Sequence, residues 1–538
     1  MRTAEEIFNF YDEGVNHLRA TGVFDQTIKN YNFFEGRQWE GLKVKGKNPP
    51  CENVIKQIVK HKYNNISMQD VEIVLTSKDK NAENVTKALN SFIEVFWEEE
   101  KMYSHMWACN KASHIAGDNY LYFSYLDSIH AEEIDNTNIF FENEADKNIQ
   151  KQKYLIISQR VHIDDVKEMA RNNGVSEEEI DNIVTDEERE LKPGEEIKFK
   201  KDKYVTVLLF LEKKKDGVHF TKCVRNVIIE EEKNTKLTLY PIANIVCNEK
   251  KGSARGIGEV APLIDNQIEI NKSLLRRSEA IKQTAYPKVA YNELKIQNPN
   301  DFTKAGSAIK VKGEVSNLNE VVKYLTPSYV SNDAKQYSDE LIQMTKELNN
   351  SGDGAMGQID PTKASGAAVE AVTQQANVSA SEQMAAYKQF VEDIGYIFLD
   401  LWATYNPDGL PVANENGEEI IIPVSEIKKM KIKVNVTSAT PFSKYSVESE
   451  LRNLFVSGVI TFEEYVKSLD ENSLAPKSKF ERIIQERGKE KQKDQIIQAL
   501  IQKLSKYEVD FDLMNNSQND TPAQMPNNNL IEGEIQNV

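Results

Sequence analysis

The chain has 538 residues, of which 40% are hydrophobic and 28% charged, a composition typical of folded domains and long enough for several of them. Acidic residues outnumber basic ones by 84 to 67, and the net charge of −17 has the wrong sign for tight nucleic-acid binding over a broad surface. No apolar run approaches the roughly eighteen residues of a membrane span, and four scattered cysteines favour reduced, buried thiols over disulfides or a zinc site.

The first part of the chain is predicted to be helical. Apolar periodicity predicts a helix over residues 3–19 and another over residues 89–109. Between them, residues 31–39 place four aromatic rings around a glycine turn, and Asn53 precedes a further helix.

Strand patterns dominate the next part, which we expect to form a mixed sheet. The predicted strands cover residues 116–125, 138–141, 154–159, 204–212, 224–229 and 242–246. A helix over residues 163–172 interrupts them. An acidic insertion follows over residues 176–201, and its charge predicts a solvated excursion.

Helical periodicity returns at Gly258 and continues to residue 285. Two short strands are predicted at residues 288–292 and 308–312, and a further helix runs from residue 330 to 348. A small strand-bearing insertion therefore lies between two helices.

A glycine-rich loop follows, with Gly352, Gly354 and Gly357 close together. It opens into a proline-free stretch whose apolar residues recur at helical spacing from Val369 to Tyr405. The first half of this helix carries small residues, which favour close helix contacts. We therefore expect the loop and the helix to have a specific function in the molecule.

The C-terminal part of the chain returns to strands and then to helices. Strand patterns at residues 419–423 and 432–437 are expected to complete the sheet. A helical subdomain is predicted from residue 447 to about 507, broken first at Gly458. The tail from residue 515 is mostly Asn, Gln, Pro and Asp and is expected to be disordered.

Two glycine patterns match a dinucleotide fingerprint by spacing. The pattern beginning at Gly352 follows a helix instead of a strand, so its context excludes a phosphate cradle. The turn from Gly256 to Ala261 follows a strand and opens a helix, with Glu279 downstream. One interpretation is a nucleotide-binding enzyme, and the other is a pair of glycines that allow a sharp entry into a helix.

Catalytic and metal-binding motifs are otherwise missing from the sequence. It contains no GxxxxGK[ST] and no GxSxG pattern. His105, Cys109 and His114 are the only cluster of soft ligands, and helical spacing places His114 nearly opposite His105. We therefore expect no metal, no cofactor and no catalytic residue.

Lys272, Arg276, Arg277 and Lys282 give one predicted helix a basic character. They form either a phosphate-contacting stripe or a solvated face balanced by nearby carboxylates. In an oligomer with rotational symmetry, each such residue becomes part of a ring of charge.

The order and spacing of these elements resemble the portal protein of tailed bacteriophages over residues 27–440. The segments that carry the resemblance are residues 31–39 before the Asn53 helix, residues 117–120, residues 256–258 leading to residues 267–271, and the glycine-rich loop with its long helix.

The resemblance implies an α+β fold with a mixed-sheet wing, long stem helices, a small strand-bearing clip insertion and a helical C-terminal crown. Its parts would be the wing (1–257), the first stem helix (258–285), the clip (286–327), the second stem helix (328–348), the tunnel loop (349–366), the long wing helix with returning strands (367–440), the crown (441–510) and a disordered tail (511–538).

The function implied is that of a non-enzymatic ring, dodecameric in the capsid, that passes double-stranded DNA at one vertex of the virion after assembly in the host cytoplasm. Implied partners are the terminase large subunit, the head-tail adaptor and the major capsid or scaffold protein, with no membrane. Residues implied to line the channel are Gly352, Asp353, Gly354, Ala355, Met356, Gly357 and Gln358. Another virion structural protein is an alternative.

Overall fold

The computed structural model describes residues 2–39, 49–77, 83–186, 203–285, 288–304, 306, 308–325, 332–352, 378, 380–413, 419–437, 441–469, 477, 479–480 and 482–484. The chain divides into two compact units, Met1–Thr437 and Ser438–Val538, which are described separately. Helix and strand are mixed in the first unit. None of the helices in these ranges is both long enough and apolar enough to cross a membrane.

Three helices begin the first unit: α1 (Ala4–Ala20), α2 (Val23–Glu35) and α3 (Val54–Ser67). The helix predicted over residues 3–19 is confirmed, and a capping box between Thr3 and Glu6 fixes its start. The aromatic turn predicted over residues 31–39 is mostly helical, since α2 continues to Gly36, whose φ of 88° ends it. Asn53 caps α3 as predicted.

The single helix predicted over residues 89–109 is wrong. Two helices, α4 (Glu83–Glu99) and α5 (Met102–Ala116), occupy this part of the chain. Lys101 between them has a φ of 52°, in the left-handed region that no α-helix continues through. Nothing in the periodicity marks this break, because apolar residues continue on both sides of it.

Nine strands lie among the described residues between 70 and 246, and all of them except the first belong to two antiparallel sheets. The strands are β1 (Asp70–Thr76), β2 (Asp118–Tyr125), β3 (Ile129–Asp135), β4 (Ile139–Phe141), β5 (Tyr154–His162), β6 (Tyr204–Lys214), β7 (Gly217–Cys223), β8 (Ile228–Asn234) and β9 (Ile242–Val246). A five-stranded sheet has the order β4-β5-β6-β7-β8, and a three-stranded sheet has the order β3-β2-β9. The strand predicted over residues 224–229 is only partly right, because residues 224–227 form the turn between β7 and β8 and β8 begins at Ile228.

The acidic insertion is only partly a solvated excursion. After helix α6 (Ile163–Asn172), a short helix α7 (Glu177–Asp181) begins the insertion. Ile180 and Ile183 are buried beside Val166 of α6 and Val205 of β6. The predicted solvation is therefore wrong for the start of the insertion, and residues 187–201 lie outside the described ranges.

A short two-stranded pair, β10 (Asn248–Glu249) with β11 (Gly256–Ile257), precedes helix α8 (Ile264–Ala285). The predicted start of this helix at Gly258 is wrong, because a 3-10 turn containing Pro262 intervenes. The insertion that follows pairs β12 (Lys288–Tyr291) with β13 (Val322–Leu325). The strand predicted over residues 308–312 contributes only an isolated bridge between Ile296 and Val311.

Helix α9 (Asn332–Leu348) returns from the insertion, and helix α10 (Ser381–Tyr405) forms the described part of the predicted long helix. Residues 353–377 and 379 lie outside the described ranges. Aromatic side chains pack around α10: the ring of Phe398 lies 5.2 Å from those of Phe96 and Phe123. The helix therefore lies in the main hydrophobic core.

The strands after α10 do not complete either large sheet, contrary to the prediction. Within the described residues, strands β14 (Leu410–Ala413) and β15 (Glu419–Ile422) form a separate two-stranded sheet. A short helix α11 (Val424–Ile427) leads to β16 (Lys431–Thr437), which pairs with β1 from the N-terminal part. The first unit is thus closed by a pairing between distant parts of the chain.

The second unit contains helix α12 (Pro441–Val456) and helix α13 (Phe462–Lys467). The predicted break at Gly458 is confirmed, since its φ of 73° suits a helix end. The rings of Phe455 and Tyr465 stack with centroids 5.4 Å apart. Residues 485–507 of the predicted helical subdomain and the tail predicted to be disordered, residues 511–538, lie outside the described ranges.

A buried arginine joins the two sheets to the chain segment that precedes α8. The guanidinium of Arg255 donates to both carboxylate oxygens of Glu144, at 2.9 and 2.8 Å, and lies 3.4 Å from Asp118 Oδ2. It also donates to the carbonyl oxygens of Asn136 and Ile139, at 2.6 and 2.8 Å. All five N–H donors of the guanidinium therefore have acceptors.

The electrostatics of this cluster depend on the arginine. Burial raises the pKa of the Asp118 carboxyl, whereas the Arg255 guanidinium lowers it, and the net shift is upward. The Tyr120 hydroxyl donates to Asp118 Oδ2 at 2.7 Å. The ring of Phe141 lies 4.6 Å from the guanidinium carbon. Removing the cation would leave two carboxylates in a buried site.

We expect Arg255→Leu to lower the free energy of unfolding by about 3–5 kcal/mol, because it leaves Asp118 and Glu144 without their cation. The matched control is Arg225→Leu, whose exposed guanidinium pairs with Asp12 at 2.9 Å and should change stability by about 0–1 kcal/mol. Urea denaturation at neutral pH measures both. Equal effects of the two substitutions would contradict the role of Arg255.

Candidate functional site

Helices α8 and α9 form an antiparallel pair. Asn266 Nδ2 donates to Thr345 Oγ1 at 3.2 Å, and the hydroxyls of Ser273 and Ser338 lie 2.5 Å apart. The second contact lies seven residues after the first on α8 and seven residues before it on α9. The two antiparallel helices therefore keep one register over two turns. Apolar side chains fill the space beside these polar contacts, with Ile270 completely buried.

Two amides on α8 anchor this pair to the N-terminal helices. Gln267 Oε1 accepts hydrogen bonds from the N–H groups of Val54 and Ile55, at 3.0 and 3.3 Å, at the start of α3. Gln267 Nε2 lies 3.0 Å from Asn271 Oδ1, and Asn271 Nδ2 donates to Gln38 Oε1 at 2.6 Å. The three amide side chains are buried. This network fixes the position of α8 on the first unit.

The four predicted basic residues of α8 do not share one face. Lys272 and Arg276, one turn apart, both lie 3.7 Å from carboxylate oxygens of Glu269. At 100° per residue, Arg277 points about 100° away from Arg276, and Lys282 points in a third direction. Within the described residues, Arg277 and Lys282 form no ion pair. A continuous stripe is therefore not present on a single chain.

The described helices on either side of the glycine-rich loop converge on one cavity. Helix α9 ends at Leu348; Asn350, two residues later, has a φ of 52°, and Ser351 is buried. Asn349 and Asn350 line a cavity of about 20 Å³ together with Ala380 and Gln383 at the start of α10. Gly352 is the last residue described before the gap. Asp353, Gly354, Ala355, Met356, Gly357 and Gln358 lie outside the described residues.

A buried ion pair stands beside this cavity. Lys62 Nζ lies 2.6 Å from Glu259 Oε2, while Asn248 Nδ2 and Gln383 Nε2 lie 3.0 and 3.3 Å from Glu259 Oε1. Burial acts to raise the pKa of Glu259, but Lys62 and Asn248 lower it more, so the pKa lies below its ordinary value. The cluster links α3, the segment before α8, and α10.

The glycines of the Gly256–Ala261 turn are required by contacts with the chain itself. A Cβ on Gly256 would lie 2.4 Å from the carbonyl oxygen of Gly117, and one on Gly258 would lie 2.4 Å from that of Ile115. Glu259 N–H donates to His114 O at 2.7 Å. The backbone that a pyrophosphate would have to approach is therefore packed against the end of α5, which disfavours the nucleotide-binding interpretation.

The soft ligands identified in the sequence lie at separate places. His105 Nδ1 lies 3.1 Å from Glu133 Oε1, whereas Cys109 is buried against the carbonyl oxygen of Tyr120. His114 Nδ1 donates to Asn110 O at 2.8 Å. Each has its own local role in the packing.

Sequence reasoning missed the residues that hold the site in place. Gln267 and Asn271 lie four residues apart, among apolar residues on the buried face of α8. Two amides at that spacing on an apolar face could have predicted a buried hydrogen-bond network. Arg255 and Glu259 gave no such signal, because single charged residues in a loop are ordinary. Their importance depends on contacts with residues more than a hundred positions away.

Comparison with known proteins bears on the first unit from α2 onward. The family model of the phage P22-like portal protein matches residues 21–438. The match spans more than three quarters of the chain and includes every element from α2 to β16. No curated protein matches the chain.

We expect Gln267→Leu to weaken the attachment of α8 to α3. The substitution leaves the N–H group of Ile55 without its acceptor, whereas Val54 N–H keeps Glu52 O at 2.9 Å; a buried unsatisfied donor costs about 1–3 kcal/mol. Gln343→Leu is the control, because Gln343 is exposed on α9 and, among the described residues, its side chain bonds to Glu347 alone. Chemical denaturation should show destabilisation for Gln267→Leu alone, and hydrogen exchange should increase at the start of α3.

Proposed function

The chain belongs to the phage P22-like portal protein family, and we propose that it forms a ring at one capsid vertex through which double-stranded DNA enters and leaves. The observation that carries this proposal is the match over residues 21–438. We propose a structural role and not an enzymatic one. The packing of Gly256 and Gly258 against the backbone of α5 supports this choice over a nucleotide-binding enzyme.

In the proposed assembly, α8 and α9 are the stem helices and the insertion between them is the clip. Two features support this assignment: the helices are antiparallel partners, and a strand pair closes the far end. Residues 349–366 are the tunnel loop. The convergence of Asn350 and Ala380 on one cavity supports a loop that leaves and rejoins the helices at one place.

The charge distribution suits a conduit for DNA. A surface that neutralised many phosphates would bind DNA tightly in a salt-dependent way and would oppose its movement. The chain is acidic overall, and Glu269 partly neutralises Lys272 and Arg276. Arg277 and Lys282 then remain as the cations that a ring would repeat around its axis. We propose that these provide local, weak contacts with the phosphate backbone.

Each proposed partner is assigned to one part of the chain. The clip would receive the terminase large subunit during packaging and the head-tail adaptor afterwards, and the wing would contact the major capsid or scaffold protein. Exposed apolar side chains on the clip support a docking role there, since Leu294, Leu318 and Tyr324 are 87%, 67% and 58% exposed. A dodecamer is the ring size that we propose for the capsid.

We expect the purified full-length chain to form closed rings. Negative-stain images should show annular particles with a central opening, and mass photometry should give a single large multiple of 61.3 kDa. Increasing protein concentration should favour the ring. Monomers or dimers alone at high concentration would contradict the proposal.

We expect the double substitution Gly354→Pro and Gly357→Pro to impair DNA packaging while leaving ring assembly intact. Proline fixes φ and would restrict a loop that must adapt to passing DNA. The control replaces the same two glycines by alanine, which restricts the backbone less. Packaged DNA per particle and ring assembly are the two measurements, and normal packaging by the proline variant would contradict the role of the loop.

A further inference from the structure

The clip differs in charge from the rest of the chain. Its described residues between Lys288 and Leu325 contain six lysines and four carboxylates, a net charge of +2 in a chain whose net charge is −17. Within the described part of the clip, only Lys304 forms an ion pair, with Asp301 at 4.0 Å. The remaining described lysines of the clip are available for contacts outside the chain.

Three of these lysines surround the isolated antiparallel bridge between Ile296 and Val311. Gln297 N–H donates to Lys310 O at 3.1 Å, and Lys312 N–H donates to Lys295 O at 2.8 Å. These bonds flank the bridge between Ile296 and Val311. Lys295 therefore lies opposite Lys312, and Gln297 lies opposite Lys310.

Lys310 and Lys312 flank Val311, and because side chains alternate along an extended segment, they lie on the face opposite Val311. Lys295 belongs to the turn that precedes Ile296, and the bond from Lys312 N–H to its carbonyl oxygen places it beside Lys312. The burial of these residues agrees with this arrangement. Ile296 is 3% exposed, whereas Lys310 and Lys312 are exposed and Lys295 is half-buried. We call Lys295, Lys310 and Lys312 the lysine face.

The lysine face is electrostatically unfavourable in the isolated chain. Lys295 and Lys312 lie opposite one another across the bridge, and like charges in opposite positions destabilise such a pairing. None of the three lysines has a carboxylate partner within the described residues, although Glu293 and Glu314 are close in sequence. Anionic groups on a bound partner would relieve this repulsion.

An exposed apolar residue of the clip indicates which kind of anion binds. Leu294, next to Lys295, is 87% exposed. A phosphate backbone offers no apolar surface to cover this side chain, whereas a protein segment does. We propose that the lysine face docks an acidic segment of another protein, in which apolar side chains alternate with Asp or Glu.

This inference rests on the proposed function, in which the clip is the docking region of the ring. It adds the chemistry of the partner: the docking protein presents carboxylates to Lys295, Lys310 and Lys312 and apolar side chains to Leu294, which is next to Lys295. The contact is electrostatic at its rim, so it should weaken as salt concentration rises.

The test uses the full-length chain and a short fluorescein-labelled peptide of alternating glutamate and leucine. Its binding is measured by fluorescence anisotropy, beside a peptide with glutamine in place of glutamate and a labelled DNA duplex. The variant K295Q/K310Q/K312Q removes the lysine face. The control K288Q/K304Q/K323Q removes the same charge from other positions of the clip.

We expect the variant of the lysine face to bind the acidic peptide about tenfold more weakly, as expected for three exposed ion pairs of about 0.5 kcal/mol each. The control should bind it as the native chain does, and the glutamine peptide should not bind to any of them. Duplex binding should be the same in all three proteins.

Four results would overturn the proposal. The native chain fails to bind the acidic peptide, or both variants weaken peptide binding equally, which would show an effect of net charge alone. The lysine-face variant loses duplex binding instead of peptide binding, which would assign the face to DNA. Or that variant alone fails to form rings, which would place the face between copies of the chain. Absence of rings for the native chain would contradict the proposed function, while the peptide comparison would still test the lysine face.

Discussion

The structure of the first unit depends on one buried cation. Arg255 directs its five donors to two carboxylates and two backbone carbonyl groups, and these acceptors come from the start of β2, the turn around Asn136 and the loop that contains Glu144. A lysine could satisfy only part of this set, because its donors spread from a single nitrogen atom. The segment that carries Arg255 leads directly to β11, the glycine turn and α8, so the position of the sheets determines where that helix begins.

A second set of contacts then determines the direction of α8. Gln267 and Asn271 bind it to the start of α3 and to Gln38, and the ion pair of Lys62 with Glu259 ties the same region to α10. These groups are buried and polar, which makes each contact directional. Apolar packing alone tolerates small rotations of a helix, whereas a buried amide loses its hydrogen bonds when the helix turns. In the proposed ring, this rigidity would keep the stems of all subunits at one angle to the channel.

Much of the first unit could be predicted from sequence, and the failures have a common cause. The helix at residues 163–172, the strand at residues 242–246 and the cap at Asn53 were predicted correctly, because each rests on a local pattern. The break at Lys101 was not predicted, because apolar periodicity continues through it. The strand predicted over residues 308–312 proved to be an isolated bridge at Val311, because its residue pattern is that of a longer strand. The pairing of β1 with β16 and the contacts of Arg255 join positions far apart in the chain, and a single sequence carries no signal for such contacts. The same reasoning applies to the site: the glycines at positions 256 and 258 were noticed for their spacing, whereas their physical reason is the close approach of another backbone.

The cavity shared by Asn350 and Ala380 has a consequence for how mechanical load would reach the helices. Asn350 follows α9 and Ala380 precedes α10, and both line one small cavity together with Lys62 of α3. Lys62 is in turn held by Glu259, which also bonds to Gln383 of α10. In the proposed ring, a pull by passing DNA on the chain between these two residues would therefore be shared by α3, α9 and α10 instead of being borne by one helix.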